Sequence, residues 1–245
     1  MSSLDESFWG GPRAELERLA GPLHPVPGAV SAYEVLEGTY RGERVRASWL
    51  GRVRSGGGAS GSTLHLAASL DGRPVRTYVW SRKGSTIFGP TAVTGDAAFD
   101  ERYVASARPQ EVVSAALDAD VRAMIDRRWA GSDTSIDVDD GWVSIAAGTS
   151  EPGPRGPRTP PTGDQLQSIL DDVVLLTGRL RHAYDTRWHQ IAAEQGEPAA
   201  RAWAEQAQAD LTATSRKGLA LAVAVIVGMV VVVAALVAGI LALVG

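Results

Sequence analysis

The last 27 residues of the chain, 219–245, contain no charged side chain, and 24 of them are apolar. As a helix, residues 219–244 would be about 39 Å long, whereas the hydrocarbon core of a bilayer is ~30 Å thick. A helix buried in a soluble protein rarely runs this long without a single polar residue. The sequence therefore predicts one transmembrane helix, within a membrane anchor over residues 218–245.

Charges beside this segment predict its orientation. Arg216 and Lys217 directly precede the apolar stretch, and no charged side chain follows it. Under the positive-inside rule, residues 1–217 then lie in the cytoplasm. The first ten residues carry acidic groups and lack the basic and apolar regions of a signal peptide. We therefore expect a single-pass protein of the cell membrane with a cytoplasmic N-terminal domain.

Small residues recur inside the predicted span at four-residue spacing, at Ala220, Ala224 and Gly228. Such a stripe allows two helices to approach closely, which predicts a homo-oligomer in the membrane. Alanine and glycine are also common in spanning helices, so ordinary composition is the alternative explanation. The lipid bilayer itself is the partner that the apolar segment requires.

Composition argues against several classes of function. The chain has no cysteine, which excludes disulfide frameworks, thiolate metal sites and cysteine nucleophiles. Its net charge of −4 argues against a nucleic-acid binder that works by bulk positive charge. Outside the predicted anchor, roughly 38% of the residues are apolar, which is low for a well-filled globular domain. We therefore expect no nucleic-acid partner and a lean core.

Hydrophobic periodicity and turn residues predict an α+β fold, with an antiparallel sheet packed against helices. The predicted strands are 33–40, 43–53, 63–70, 74–82, 134–138 and 142–146. Successive strands are predicted to form hairpins at Arg41-Gly42, Asp71-Gly72 and Asp139-Asp140-Gly141. The predicted helices are 4–20, 109–128 and 164–181, and Gly10-Gly11-Pro12 is expected to break the first one early. Thr162 and Gln165 form a capping-box pattern at the start of the last helix.

The chain divides into three predicted parts. Residues 1–181 form the cytoplasmic α+β domain, which is long enough to bury a single core. Residues 182–217 are rich in alanine, glutamine and glutamate and predict a helical stalk that is broken near Gly196. Residues 218–245 form the transmembrane anchor.

Residues 94–104, Thr-Gly-Asp-Ala-Ala-Phe-Asp-Glu-Arg-Tyr-Val, combine glycine, acidic and aromatic residues. This segment resembles a motif, Gly-Asp-x-x-Phe-Asp-x-x-Phe-x-Val, of a bacterial family of uncharacterised membrane-associated proteins that share a domain of unknown function. The order of the helices and hairpin that follow also matches, over roughly residues 30–181. The resemblance implies a membrane-anchored domain and supplies no catalytic residues. The matching positions are Gly95, Asp96, Phe99, Asp100 and Val104, with Tyr103 where phenylalanine is usual.

The spacing within this motif predicts a structural role. Phe99 and Tyr103 lie four residues apart and can pack together in the core, while Asp96 caps the turn. The alternative is a catalytic pair of Asp96 and Asp100, which would make the protein a membrane-bound hydrolase using acidic residues near 96–101. Nearby acids without a histidine or metal partner are usually caps or solvated groups, so we favour the structural role.

The sequence predicts no cofactor and no metal. Residues 56–61 fit G-x-G-x-x-G, but a strand is predicted after them, where a dinucleotide site needs a helix. Residues 137–141 resemble the start of a calcium loop, but their glycine stands at the wrong position. The four histidines show no H-x-H or H-x-x-x-H spacing, which argues against a zinc site.

Charge is distributed unevenly along the chain. Residues 41–83 hold nine basic and two acidic side chains, whereas residues 84–150 hold five basic and eleven acidic ones. Alternate residues of a strand share a face, so strand faces rich in arginine and aromatic groups are predicted. An ordinary solvated face, whose arginines pair with residues 84–150, is the alternative. The candidate anion- or partner-binding residues are Arg44, Arg46, Arg52 and Arg54, together with Arg76, Tyr78, Trp80 and Arg82.

A non-enzymatic binding module at the membrane is the function that these features favour. Its ligand would be a protein partner or anionic lipid headgroups. The sequence shows no nucleophile–base constellation, which argues against the hydrolase. Net charge and membrane anchoring argue against a third class, a binder of single-stranded nucleic acid.

Overall fold

The computed structural model describes residues 6–27, 33–53, 59–82, 90–129, 136–139, 141–149 and 159–213. Its strands are β1 (His24–Pro25), β2 (Tyr33–Tyr40), β3 (Glu43–Val53), β4 (Ala59–Ser69), β5 (Thr77–Ser81), β6 (Tyr103–Ala105), β7 (Ile136–Asp139) and β8 (Trp142–Thr149). Its helices are α1 (Glu6–Ala20), α2 (Ala97–Arg102), α3 (Gln110–Ala116), α4 (Ala119–Trp129) and α5 (Gly163–Gln195), followed by α6 over residues 197–213.

The strands form one eight-stranded antiparallel sheet, in the order β1-β2-β3-β4-β8-β7-β5-β6. α1 contacts β2, and α5 contacts β4 and β8 near the middle of the sheet. α3 and α4 pack in turn against α5. The predicted α+β class with an antiparallel sheet is therefore confirmed.

Two of the predicted hairpins are confirmed. β2 and β3 pair in register up to Tyr40 and Glu43, and the turn residues Arg41 and Gly42 have φ angles of 50° and 81°. β7 and β8 pair up to Asp139 and Trp142, and Gly141 between them has a φ angle of 78°, whereas Asp140 lies outside the described residues. In both turns, residues with positive φ match the right-handed twist of the flanking strands.

The predicted hairpin at Asp71-Gly72 is wrong, because β4 and β5 are not neighbours. β4 pairs with β8, and β7 lies between β8 and β5. Asp71 and Gly72 do have the left-handed φ angles of a tight turn, 53° and 78°. However, the N–H of Leu70 donates to the carbonyl oxygen of Gly141 at 2.7 Å, and Pro74 has no N–H for a ladder. The β7–β8 hairpin therefore occupies the edge of β4.

α1 runs unbroken through Gly10-Gly11-Pro12, so the expected early break is also wrong. Proline inside a helix costs about 3 kcal/mol relative to alanine. The same helix buries Trp9 and Leu16 in the core, and each large apolar side chain contributes roughly 1.5–3 kcal/mol on burial. Tertiary packing therefore outweighs the local preference.

The predicted helix 109–128 consists of two helices, α3 and α4. Leu117 leaves the helical conformation, with φ −80° and ψ 53°. Asp118 Oδ1 then accepts a hydrogen bond from the N–H of Val121 at 3.0 Å. An aspartate that caps in this way starts a new helix, which the continuous apolar stripe did not reveal.

α5 fills the core beneath the centre of the sheet. Its N-terminus has the predicted capping box: Thr162 Oγ1 accepts from the N–H of Gln165 at 3.3 Å, and Gln165 Oε1 accepts from the N–H of Thr162 at 2.9 Å. One stripe of the helix is buried and apolar, which supplies most of its contact with the sheet. The stripe comprises Leu166, Ile169, Leu170, Val173, Leu176 and Leu180.

A buried carboxylate fixes α4 against α5. Asp172 is 4% exposed, and its two oxygens accept hydrogen bonds from Arg127 and Arg128 of α4. Arg128 also donates to Ser168 Oγ at 2.7 Å. A carboxylate removed from water needs such compensating donors, so these contacts define how α4 sits on α5.

α5 continues through residue 181, the predicted end of the domain, without interruption. It ends before Gly196, which has a φ angle of 88° and is the predicted break. Trp203 of α6 packs against Tyr184 of α5 with 4.9 Å between ring centroids. Its Nε1 also donates to Glu111 of α3 at 3.1 Å. Residues of the predicted stalk therefore contact the domain directly.

The predicted anchor, residues 218–245, lies outside the described residues. Within the part of the chain that the structure describes, no helix is both long and apolar enough to cross a bilayer. The transmembrane span therefore stays a prediction. The flanking cations and the small-residue stripe also lie outside the described residues, namely Arg216, Lys217, Ala220, Ala224 and Gly228.

We predict that Gly38→Ala lowers the free energy of unfolding by about 1–3 kcal/mol. A Cβ atom there would lie 2.7 Å from Leu23 Cδ2 and 2.9 Å from the carbonyl oxygen of Ala20, at the end of α1. Gly178→Ala is the matched control, because nothing lies within 4 Å of its Cβ position in α5. The control should be neutral or stabilising by up to about 1 kcal/mol. Urea unfolding followed by circular dichroism measures both, and a G38A chain as stable as wild type would contradict the close packing of α1 on β2.

Candidate binding surface on the outer face of the sheet

The two faces of the sheet differ in burial. In β3, Val45, Ala47 and Trp49 are buried beneath the helices. Arg44 and Arg46 alternate with them and therefore point to the opposite side. We call this opposite side of the sheet the outer face. It comprises Arg44, Arg46 and the residues on neighbouring strands whose side chains point the same way.

Trp142 of β8 lies on the outer face in contact with two arginines. The guanidinium carbon of Arg46 is 4.0 Å from the centroid of the indole ring, and that of Arg44 is 5.0 Å from it. A cation–π contact contributes about 0.5–1 kcal/mol at an exposed site. The indole therefore restrains two guanidinium groups on one small area of the sheet.

The two arginines differ in their other partners. Arg46 Nη2 donates to Glu37 Oε1 at 2.6 Å, across the β2–β3 pair. Arg44 Nη2 donates to Ser69 Oγ at 2.9 Å, and no carboxylate of the described residues pairs with Arg44. Because a guanidinium has five N–H donors, most of the donors of Arg44 are available to an external acceptor.

A second polar cluster continues this row across the sheet. β7 pairs Asp139 with Trp142, and Arg76 donates to Asp139 Oδ1. The hydroxyl of Tyr78 donates to Asp139 Oδ2 at 3.0 Å. The Tyr78 ring stacks on Trp80 with 5.5 Å between centroids and 25° between the ring planes. Three of the predicted binding residues, Arg76, Tyr78 and Trp80, are thus brought together.

Charge is nearly balanced among the described side chains at sheet positions of the outer face. Arg46 pairs with Glu37 and Arg76 pairs with Asp139, so these two predicted cations are neutralised where they stand. The second pair agrees with the alternative in which arginines pair with residues 84–150. The charged side chains described at sheet positions of this face are four arginines and three carboxylates: Arg44, Arg46, Arg76, Arg108, Glu37, Asp137 and Asp139.

Of the other predicted arginines, Arg82, Arg52 and Arg54, only Arg82 has a described side chain. Arg82 follows β5, and its Nε donates to the backbone carbonyl oxygen of Asp100 at 2.9 Å. The backbone of Arg52 pairs with Gly61 in the β3–β4 ladder, but its side chain is outside what the structure describes. Arg54 lies outside the described residues altogether.

Sequence reasoning missed Trp142, Glu37 and Asp139 as members of this surface. Trp142 alternates with the buried residues Val143 and Ile145, so its orientation follows from the same period of two. What the period cannot show is that β8 lies next to β4. The contact between Trp142 and the β3 arginines depends on this non-local pairing.

The family-like motif forms a structural corner. Gly95 has a φ angle of 78°, and Asp96 Oδ1 then accepts from the N–H of Phe99 at 3.1 Å to cap α2. Phe99 is 2% exposed, and its ring lies 4.9 Å from that of Tyr103. Val104 is buried in β6. The predicted cap and aromatic pair are confirmed.

The two aspartates of the motif are engaged in this corner. The Asp100 carboxylate accepts from the Thr94 hydroxyl at 2.9 Å and from the Thr94 N–H at 3.2 Å. The second oxygen of Asp96 lies 3.3 Å from Arg122 Nε. Each carboxylate thus holds a turn or a helix end, as a structural role requires.

An open cleft lies between α1 and the start of α5. Its ionisable lining groups are Glu15 and Asp164, and Glu15 is bound to Arg18. The lining therefore contributes no nucleophile–base pair. Among the described residues, no group of three or more histidine and acidic side chains is arranged to hold a metal ion.

Comparison with known proteins assigns the chain to no family. No family model, no curated protein and no solved structure matches the chain. The resemblance carried by residues 94–104 therefore stays a prediction from the motif.

We predict that Asp139→Asn lowers the pKa of the Tyr78 hydroxyl. Burial, and next the negative charge of Asp139, raise this pKa to about 12 in the native protein, above the ordinary value of about 10. Because the folded-state pKa is the higher one, Tyr78 stabilises the fold below pH 10. This stabilisation is lost as the pH rises toward 12. Absorbance titration of tyrosinate, with Tyr78→Phe as the reference, measures the pKa.

Tyr40 is the matched control for this titration. Its pKa is also raised to about 12, by burial and by Asp171 on the other side of the sheet. Asp139→Asn should therefore leave the pKa of Tyr40 unchanged. Equal shifts of both tyrosines, or of neither, would contradict the contact between Tyr78 and Asp139.

Proposed function

We propose that the chain is a C-terminally membrane-anchored protein whose cytoplasmic α+β domain binds a partner protein through the outer face, without catalysing a reaction. The observation that carries this proposal is Trp142 held in contact with Arg44 and Arg46 on a half-exposed sheet face. Tryptophan, tyrosine and arginine are the residues that dominate protein-binding hot spots. Restrained side chains also lose less conformational entropy on binding.

Charge balance favours a protein over an anionic bilayer as the ligand of this face. A basic residue near an anionic membrane contributes about 1 kcal/mol of attraction. Among the described side chains at sheet positions of this face, four arginines are offset by three carboxylates, so their net attraction would be close to that of one residue. Mixed charge with aromatic groups is instead suited to a partner with its own pattern of charges.

The membrane part of the proposal rests on the sequence. Residues 218–245 would provide the span, and Arg216 with Lys217 would keep residues 1–217 in the cytoplasm. Residues 182–217 would connect the domain to the anchor, with Trp203 of α6 packed against the domain. Ala220, Ala224 and Gly228 would allow a second copy to pack alongside the span.

The hydrolase is the weaker alternative. Asp96 and Asp100 would have to act as an acid–base pair, yet Asp96 caps α2 and both carboxylates accept hydrogen bonds from their own loop. Releasing either of them for catalysis would remove a contact that shapes the motif. These structural contacts therefore argue against the hydrolase.

We predict that a photo-crosslinking amino acid in place of Ala146 captures a partner protein in cells that produce the chain naturally. Ala146 is half-buried on the outer face, paired with His65. The captured protein, once purified, should bind the full-length chain directly. Trp142→Ala should weaken this binding by about 10-fold or more, as expected for a hot-spot residue.

Ala14 provides the matched control position, because it is exposed on α1, on the other side of the sheet. The same crosslinker at Ala14 should not capture the same protein. Equal capture at both positions, or binding that Trp142→Ala leaves intact, would contradict the proposed surface.

A further inference from the structure

Two arginines of the outer face have no carboxylate partner among the described residues. Arg44 contacts the hydroxyl of Ser69 and the ring of Trp142. Arg108 forms a β-bridge with Arg76 through backbone hydrogen bonds of 2.8 and 3.0 Å, and no side-chain partner is bonded to its guanidinium. Arg44 is exposed and Arg108 is half-exposed, so their donors are accessible.

These two arginines lie in the same row across the sheet. The row starts at Arg44, and each neighbour is fixed by a backbone pairing or by a side-chain contact. The row continues through Ser69, Trp142, Asp139 and Arg76 to Arg108. Five steps between adjacent strands, at about 4.8 Å each, place the two backbones roughly 24 Å apart.

Between the two arginines, the charged groups pair with each other and the other side chains are uncharged. Asp139 is paired with Arg76, and Trp142 presents part of an indole ring. The row thus carries a free cation at each end and an aromatic contact between them. A complementary ligand is extended, has one anionic group near each end and is uncharged in the middle.

We propose that the outer face binds an extended acidic segment of a partner protein, whose two carboxylates pair with Arg44 and Arg108; this inference rests on the proposed function of that face. An extended peptide rises about 3.3 Å per residue, so two carboxylates six to eight residues apart match the row. An even separation places both side chains on the same side of the peptide. Each arginine can bind a carboxylate with two parallel hydrogen bonds.

A peptide accounts for these observations better than an anionic lipid surface does. A bilayer presents a continuous sheet of negative charge and would also face Glu37 and Asp139, which it repels. A peptide carries charge at two points and leaves those carboxylates opposite neutral side chains. Arg44 and Arg108 therefore select a ligand both by its negative charge and by the distance between its two anionic groups.

The test uses the full-length chain in a non-ionic detergent and a labelled nine-residue peptide of serine and threonine with a central leucine. Glutamate stands at peptide positions 2 and 8. We expect fluorescence anisotropy to show binding that is about 10-fold or more tighter than with glutamine at both positions. Arg44→Gln and Arg108→Gln should each weaken binding by about 10-fold. Raising the salt concentration should weaken it as well.

Arg201→Gln is the matched control, because Arg201 is an exposed arginine of α6 that pairs with Glu197. It should change the affinity by less than about 2-fold. Circular dichroism of each variant separates loss of binding from loss of folding. If either Arg44→Gln or Arg108→Gln fails to fold, the other variant still tests the contact with the peptide.

Three results would overturn the inference. They are equal binding of the glutamate and glutamine peptides, equal effects of Arg44→Gln and Arg201→Gln, and preferential Arg44-dependent binding to phosphatidylserine vesicles. If the glutamate peptide does not bind while a crosslinker at Ala146 still captures a partner, the proposed acidic ligand is wrong but the outer face remains the binding surface. If neither experiment shows binding, the proposal that the outer face binds a protein is wrong too.

Discussion

The packing of α5 against one face of the sheet is the constraint on which the rest of the structure depends. Its apolar stripe covers β4 and β8, and α1, α3 and α4 pack against it. Asp172 fixes how α4 lies against α5. Its buried carboxylate accepts hydrogen bonds from Arg127 and Arg128, and these bonds form only when α4 is in this position. A domain with few apolar residues can thus cover one face of an eight-stranded sheet with helices and leave charged and polar side chains on the other face.

Ion pairs hold the second half of α5 to the loops at one end of the sheet. Arg181 pairs with Glu43 and Asp71, and Asp185 pairs with Arg73. The hydrogen bond from Arg73 holds the pKa of Asp185 below its ordinary value. Asp185 therefore stabilises the fold above the unfolded-state pKa of about 3.9, and this is lost as the pH falls through the lower folded-state value. Partly exposed pairs contribute little individually, so burial remains the main source of stability.

Most turns and caps of the fold followed from the sequence, although the cap at Asp118 did not, and the pairing of distant strands did not either. The turns at Arg41-Gly42 and Gly141 and the capping box at Thr162 depend on a few adjacent residues, so their patterns predicted them correctly. The pairing of β4 with β8 joins segments far apart in the chain, and no turn residue encodes it. The continuity of α1 likewise depends on core packing that local propensity does not record.

The same distinction applies to the candidate site. Strand alternation placed Arg44 and Arg46 on one face, but their partners Glu37 and Trp142 come from other strands. Among the described side chains, a face that looks strongly basic in one segment is therefore nearly neutral once the sheet is assembled. The row of paired and unpaired groups on this face is the observation on which the proposed protein partner rests.

Oxidative footprinting of the full-length chain tests most directly whether a partner covers the outer face. Trp142 on that face and Trp188 on α5 are both partly exposed tryptophans, so each reports on its own surface. In native membranes, compared with purified protein in detergent, Trp142 should be protected from hydroxyl radicals while Trp188 is oxidised equally in both. Equal oxidation of Trp142 in the two preparations would contradict the account.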